Sequence, residues 1–305
     1  MDRLRFARYP GPSARVIFAP LLLGLRDGVF RAAGLNVDVI EPPTHPWTAI
    51  ADGIADLGVG YLDYWFRPEL RGRFTVIGTH EAFAPGTGLT TFLARRALVD
   101  AGSLKTPADL AGRRVALLPG RGDDYMVVSG LLRAGRLSLD DVETVQVPHH
   151  GPERAAMLER GEVDVLIGRR PTDILDSEAD GLVRWLAASA VVPGFQARFL
   201  LAAPQLITSR REVLCRFLDA YVESTRRFQR LWSSPLDVSD LTGDSVAALV
   251  AADPPGFVAD AAIDLDRLAD ELAELRTGGL IPADDDGAGL VDLEPLAEAL
   301  AVDAR

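Results

Sequence analysis

The chain has 305 residues, enough for two lobes with separate cores, and its 48% apolar and 25% charged residues are those of a globular protein, not a disordered or fibrous one. A net charge of −12 argues against nucleic acid as a partner, because phosphate neutralisation needs clustered Lys and Arg. It leaves room for an anionic small ligand met by a local pair of arginines. The single cysteine, Cys215, excludes an intrachain disulfide and a multi-cysteine metal site, and no apolar run is long enough for a membrane span.

In chain order, LRFARY at 4–9 alternates and predicts a first strand. PGPS at 10–13 breaks the chain and offers Ser13 as the N-cap of one helix ending near Gly34. LNVDVIE at 35–41 predicts the second strand, a short helix comes next, and DLGVGY at 56–61 and FTVIGT at 74–79 predict two more strands. The pattern then restarts. LTTFLARR predicts a strand, RRVALL at 113–118 another, and PGRGDD turns into a helix from Tyr125 to Arg133. VETVQV at 142–147 and VDVLIG at 163–168 predict strands around a helix in PERAAMLERG. FQARFLLAAP predicts a returning strand, and the helix after it places Leu214, Phe217, Leu218 and Tyr221 on one face. Residues 236–305 read as acidic and helical, interrupted at DPPGF and DDDGAG.

One phrase occurs twice, GIADLGVG at 53–60 and GEVDVLIG at 161–168. Each time Gly caps a helix, Asp starts a turn and a buried strand comes after it, so the repeat predicts two βαβ lobes and carries little chemistry itself.

Four segments in register, GVFRAAGLNVDVIE, AIADGIADLGVG, SLKTPADLAGRRVAL and ERGEVDVLIGRRP, resemble the type-2 periplasmic binding protein fold, over roughly residues 3–232. The branch they are most similar to holds nitrate, sulfonate and taurine solute-binding proteins and the thiamine-pyrimidine synthases. The resemblance implies an α/β chain of two Rossmann-like lobes, mainly parallel sheets with flanking helices, and a two-strand hinge near 88–95 and 196–203. Residues 1–90 with 200–305 would form lobe 1 and residues 91–199 lobe 2, with a ligand in the cleft. The same branch contains enzymes, among them an aromatic sulfinate desulfinase. Its pattern is matched by His45 after the second strand, but where it has a nucleophilic Cys this chain offers only Tyr9 and Ser13. Cys215 sits on the apolar side of a helix, and the synthase's cysteine-rich motif is absent, so neither activity is expected.

In an open α/β sheet ligands bind beyond the carboxyl ends of strands. That rule selects Tyr9 and Ser13, His45 with Trp47, Tyr61 and Asp63, and His80 with Glu81. In the second lobe it selects Gly120, Arg121, Gly122 and Asp123, then Arg169 and Arg170. PGRGDDY reads as an anion seat of helix-terminal amides with Arg121 beside them, or as a turn in which Asp123 or Asp124 caps the helix. Arg169 or Arg170 would offer a fork to a carboxylate, sulfonate or phosphate, or pair with Asp173 or Glu153 on the surface. His149 and His150 suggest a metal but lack a third ligand, so no metal and no cofactor are expected.

Together these features predict a small-molecule binding protein, its solute an organic anion held by the second-lobe arginines and by first-lobe aromatics and histidines. The alternative is a cytoplasmic lyase, decarboxylase or desulfinase-like enzyme with His45 as acid/base and Tyr9 or His80 assisting. MDRLRFARYPG has no apolar leader core, so the sequence as written predicts a cytoplasmic protein; a leader lost ahead of Met1 would make it extracytoplasmic, with an ABC permease as partner.

Overall fold

The computed structural model describes residues 1–10, 12–118, 122–148, 153–168, 181–285, 287 and 289–303. The first strand, β1 (Asp2–Ala7), leads into a 3-10 turn over Pro12–Phe18 and then α1 (Ala19–Arg26) and α2 (Val29–Ala32). The expected single helix is therefore divided. Pro20 in the first turn, lacking an N–H, lets the α-helix begin only at Ala19, and Gly28 at φ +75° interrupts it. Next come β2 (Leu35–Ile40), α3 (Pro46–Ala51), β3 (Leu57–Gly60), a 3-10 turn Leu62–Phe66, and β4 (Thr75–Ala82). The middle of the chain forms β5 (Thr91–Arg95), α4 (Arg96–Asp100), β6 (Arg114–Leu117), α5 (Gly122–Ala134), β7 (Glu143–Gln146), α6 (Glu153–Glu159), β8 (Val165–Gly168) and β9 (Leu182–Ala187). The strand β9 was not foreseen. The chain continues through β10 (Gln196–Ala202), α7 (Pro204–Ser209), α8 (Arg211–Leu231), α9 (Pro235–Thr242), α10 (Val246–Ala251), α11 (Leu265–Thr277) and α12 (Glu294–Asp303).

These strands make two five-stranded sheets, ordered β2-β1-β3-β10-β4 and β7-β6-β8-β5-β9. In the first, β10 runs antiparallel to both β3 and β4; in the second, β5 runs antiparallel to both β8 and β9. The other strands of each sheet share one direction, so both sheets are mixed, with the single reversed strand in the same place. The strands expected to form the hinge lie inside the sheets. The crossings themselves are the segments 83–90 and 188–195, tied where Phe83 N donates to Phe195 O (2.9 Å) and Gly194 N to Phe83 O (2.7 Å).

The repeated phrase has a shared structural role that its pattern did not disclose. In the first sheet Asp56 accepts from the backbone N–H of Arg5 (2.7 Å) and from its guanidinium. In the second, Asp164 does the same to Arg114, with a backbone bond of 3.0 Å and guanidinium bonds of 3.1 and 3.3 Å. Asp56 thereby clamps β1 to the turn entering β3, and Asp164 clamps β6 to the turn entering β8.

One face of the first sheet is closed by α1 and by the buried stripe Leu214, Phe217, Leu218 and Tyr221 of α8, as expected. Aromatics cover the other face in a core that continues into the second lobe. The C-terminal region lies across both crossings. Ala82 N donates to Gly256 O (2.8 Å), Gly88 N to Pro254 O (2.7 Å), and Gln196 N to Oε1 of the buried Glu271 carboxyl group of α11 (2.9 Å). From there it reaches the second lobe through the ion pairs Arg133–Glu274 and Arg184–Asp253. No helix among the described residues is long and apolar enough to cross a membrane.

Candidate functional site

The carboxyl ends of β1, β2 and β3 converge, and the residues just beyond them form an aromatic wall. Pro46 at the first helical position starts α3 and fixes His45 ahead of Trp47. The His45 and Trp47 rings stack at 4.4 Å with 12° between planes, and Trp47 stacks on Tyr64 at 4.1 Å. Tyr61, which opens the 3-10 turn, meets Trp47 edge-on at 5.9 Å, and Tyr9 lies 6.1 Å from Trp47 and 6.3 Å from Tyr61. The Arg67 guanidinium sits over Tyr64, 4.1 Å from its centroid. Trp47, Tyr61 and Tyr64 are buried, Tyr9 is partly buried and His45 is exposed.

The second lobe meets this wall at the start of α5. A β-carbon on Gly122 would lie 2.7 Å from Asp63 Cβ and 3.1 Å from Leu275 of α11, so glycine is what lets the helix start come this close. Asp63, Asp123 and Asp124 are all buried there. Asp123 and Asp124 lie in the first described turn of α5, next to Gly120 and Arg121, which are outside the described residues. Carboxylates beside a helix N-terminus complement its dipole.

Tyr9, His45, Tyr61, Asp63, Gly122 and Asp123 are thus brought to one region. His80 is not. Its Nε2 faces the Ile17 carbonyl at 2.7 Å and its Nδ1 the Tyr221 hydroxyl at 2.5 Å, so the neutral ring donates from Nε2 and accepts at Nδ1. Burial, reinforced by the Arg198 charge, lowers its pKa to about 3. The expected cleft role for His80 is corrected: adjacent strand residues face opposite ways, and His80 faces α8 while Glu81 faces away from it. Gly120, Arg121, Arg169, Arg170, His149 and His150 lie outside the described residues, and the side chain of Ser13 is likewise not described. Among the described residues no three His, Cys, Asp or Glu side chains are grouped to hold a metal.

Three buried arginines escaped the sequence reading. Arg8 pairs with Glu41 and donates to the Tyr9 carbonyl (3.2 Å). Arg154 donates to Ile167 O at the end of β8 (2.7 Å), and Arg198 on β10 pairs with Glu81. None stands in a motif; their one signal was an arginine inside or beside a segment otherwise read as apolar or helical. Cys215 is far from this chemistry in kind. It donates to Glu298 on α12 at 3.4 Å, and burial and that carboxylate push its thiol up to about 11, which suppresses the thiolate a nucleophile requires.

This two-lobed fold recurs in solved structures. The desulfurization enzyme DSZB is 20% identical, with 99% of this chain and 100% of that one covered and a TM-score of 0.69. The periplasmic aliphatic sulphonate binding protein SsuA from Escherichia coli is 18% identical over 96% of this chain and 92% of its own, with a TM-score of 0.71. The alkanesulfonate-binding protein SsuA from Xanthomonas axonopodis pv. citri, bound to MOPS, is 17% identical over 92% and 95%, at 0.67. At these identities the likeness is one of fold, the two-lobed periplasmic binding protein architecture expected from the sequence. No curated protein sequence matches the chain. The model of the family described as NMT1/THI5 like matches residues 16–228, a span that runs from the turn before α1, through every strand after β1 and the wall residues His45, Trp47, Tyr61 and Tyr64, into α8. The chain belongs to the NMT1/THI5-like family.

Proposed function

We propose that this protein is a solute-binding protein that holds a small organic molecule between its lobes, the flat part of the ligand against the aromatic wall. The observation that carries this is the wall itself. Five rings, Tyr9, His45, Trp47, Tyr61 and Tyr64, gather at the carboxyl ends of successive strands, where an α/β sheet binds its ligands. Opening for the ligand would turn at the crossings 83–90 and 188–195, parting Gly122 of α5 from Asp63, and closure would restore that contact. The ligand we favour is an organic acid, in keeping with the sulfonate-binding structures of the same fold, and Arg121 with Arg169 or Arg170 would meet its charge from the second lobe. Delivery to an ABC-type permease would be its purpose, which goes with a place outside the cytoplasm.

The enzyme alternative has less support. The sole thiol is held protonated on α8 by burial and Glu298, so thiolate chemistry of the desulfinase kind has no nucleophile here.

Titration with a panel of aliphatic and aromatic sulfonates and carboxylates, monitored by tryptophan fluorescence, should give saturable quenching from Trp47 with at least one compound. Tyr9→Ala should then weaken that compound about tenfold, as removal of a central aromatic contact does. If the compound is instead consumed, and His45→Ala stops consumption while binding persists, the protein is an enzyme and the binding reading fails.

A further inference from the structure

Beyond the aromatic wall, the same end of the first sheet carries a charged pair that neither the strand clamps nor the helix packing employs. Glu81 lies at the carboxyl end of β4, and Arg198 stands opposite it in register near the start of the antiparallel β10. The Arg198 guanidinium carbon is 5.6 Å from the centre of the Tyr61 ring. Arg198 is 2% exposed and Glu81 is 0% exposed, so both charges have given up their water.

Their pairing is incomplete. Arg198 Nη1 donates to Glu81 Oε2, while Arg198 Nε and Glu81 Oε1 are buried with no hydrogen-bond partner among the described residues. A buried ion pair gains little over an apolar pair even when every donor is satisfied, and a half-satisfied one costs more. The single Nη1 contact leaves the guanidinium edge formed by Nε and Nη2 outside the pair. That edge is a planar two-donor fork, matched in geometry to two oxygens of one anion.

We propose that Arg198 is the anion anchor of the interlobe site, its Nε–Nη2 edge taking two oxygens of a sulfonate or carboxylate whose flat remainder lies along the Tyr61 side of the wall. The proposal rests on the solute-binding reading above and names the subsite for the ligand's charge. Glu81 is a positioning residue: it holds Nη1 and leaves the Nε–Nη2 edge for the ligand. The anchor belongs to the first lobe and to the strand just after the second crossing, so it would take the charged group before the second-lobe arginines close over it.

The test is calorimetric titration with benzenesulfonate, benzoate and the neutral methyl phenyl sulfone. Arg198→Gln should weaken both anions by about tenfold or more and leave the sulfone within about twofold, the mark of a lost charge-assisted fork. Arg198→Met combined with Glu81→Met removes both charges together and protects against misfolding from a lone buried carboxylate; it should show the same split with a wild-type-like melting temperature. Arg198→Lys keeps the charge, loses the fork, and should also fail to restore the anions. Undiminished anion binding by a folded Arg198→Met/Glu81→Met protein overturns the anchor. Wild type that binds the sulfone but neither anion also overturns it, yet leaves the binding reading standing. Wild type that binds none of the three overturns both for aromatic acids.

Discussion

In the first lobe the strands are ordered β2-β1-β3-β10-β4 and in the second β7-β6-β8-β5-β9, so that β1, β2 and β3 of one match β6, β7 and β8 of the other, and each sheet has its reversed strand in fourth place. Asp56 clamps Arg5 in one and Asp164 clamps Arg114 in the other, with the same backbone and guanidinium contacts. Beyond the strand ends the two lobes differ. The first lobe continues into Tyr9, His45, Trp47, Tyr61 and Tyr64, whereas the second continues into Gly122 and the acidic first turn of α5. The shared part is scaffold, and the unshared part is where our proposal places recognition.

That contrast can be broken by substitution. Trp47→Ala removes a buried ring that contacts four other rings, and should cost about 3–5 kcal/mol of stability as well as ligand binding. Trp47→Phe, which keeps a ring, should recover the fold more than the ligand affinity. By contrast, Asp56→Ala and Asp164→Ala should each leave a strand N–H without its acceptor and lower stability by about 1–3 kcal/mol in urea unfolding, with ligand affinity kept while the protein is folded. If either clamp variant unfolds like wild type, the equivalence of the two lobes is superficial.

The meeting of the lobes is the next point of attack. Gly122→Ala puts a β-carbon 2.7 Å from Asp63 Cβ, so α5 must shift from the wall; overpacking of this kind costs about 1–3 kcal/mol and should weaken ligand binding, which the clamp variants leave intact.

Two buried titrating groups in the first lobe and at the crossing sharpen the comparison through pH. His80 has its pKa lowered from 6.5 to about 3, so the unfolded chain binds its proton more readily and stability falls as pH drops from about 6.5 toward 3. Glu271 has its pKa raised from 4.5 to about 8, chiefly by burial, so the folded chain holds the proton and stability falls as pH rises from about 4.5 through 8. Glu271→Gln should therefore melt progressively higher than wild type as pH climbs across that interval and run parallel to it above 8. A constant difference would show that Glu271 does not titrate there. The smallest effect is expected from Cys215→Ser, which should leave ligand binding unchanged, and the wild-type thiol should alkylate slowly at pH 8 because it stays protonated.

The fold was legible because its signals are local. Alternating strands, helix-ending glycines and the recurrent Gly-x-x-Asp phrase all sit within a few residues, and the apolar stripe of α8 emerged as read. The division of the first helix at Gly28 and the strand β9 were missed, the one because a glycine near a helical pattern is ambiguous, the other because LVRWLA lacks a strict period. The site was legible in part. Tyr9, His45 and Tyr61 came from the rule of carboxyl strand ends, but the same rule admitted His80, and only the face it occupies sends it into the core. Arg198 was invisible in sequence because its partner is 117 residues away, and an arginine inside FQARFLLAAP gives no sign of pairing across strands.

The most direct test of a ligand held at the aromatic wall is native mass spectrometry of the purified protein and of Tyr9→Ala, each repeated after unfolding. Wild type should carry a small organic molecule, released intact on unfolding, and Tyr9→Ala, folded as judged by its charge-state distribution, should carry much less of it. Equal retention by the two proteins would place the ligand away from the wall and contradict the assignment of recognition to the first lobe.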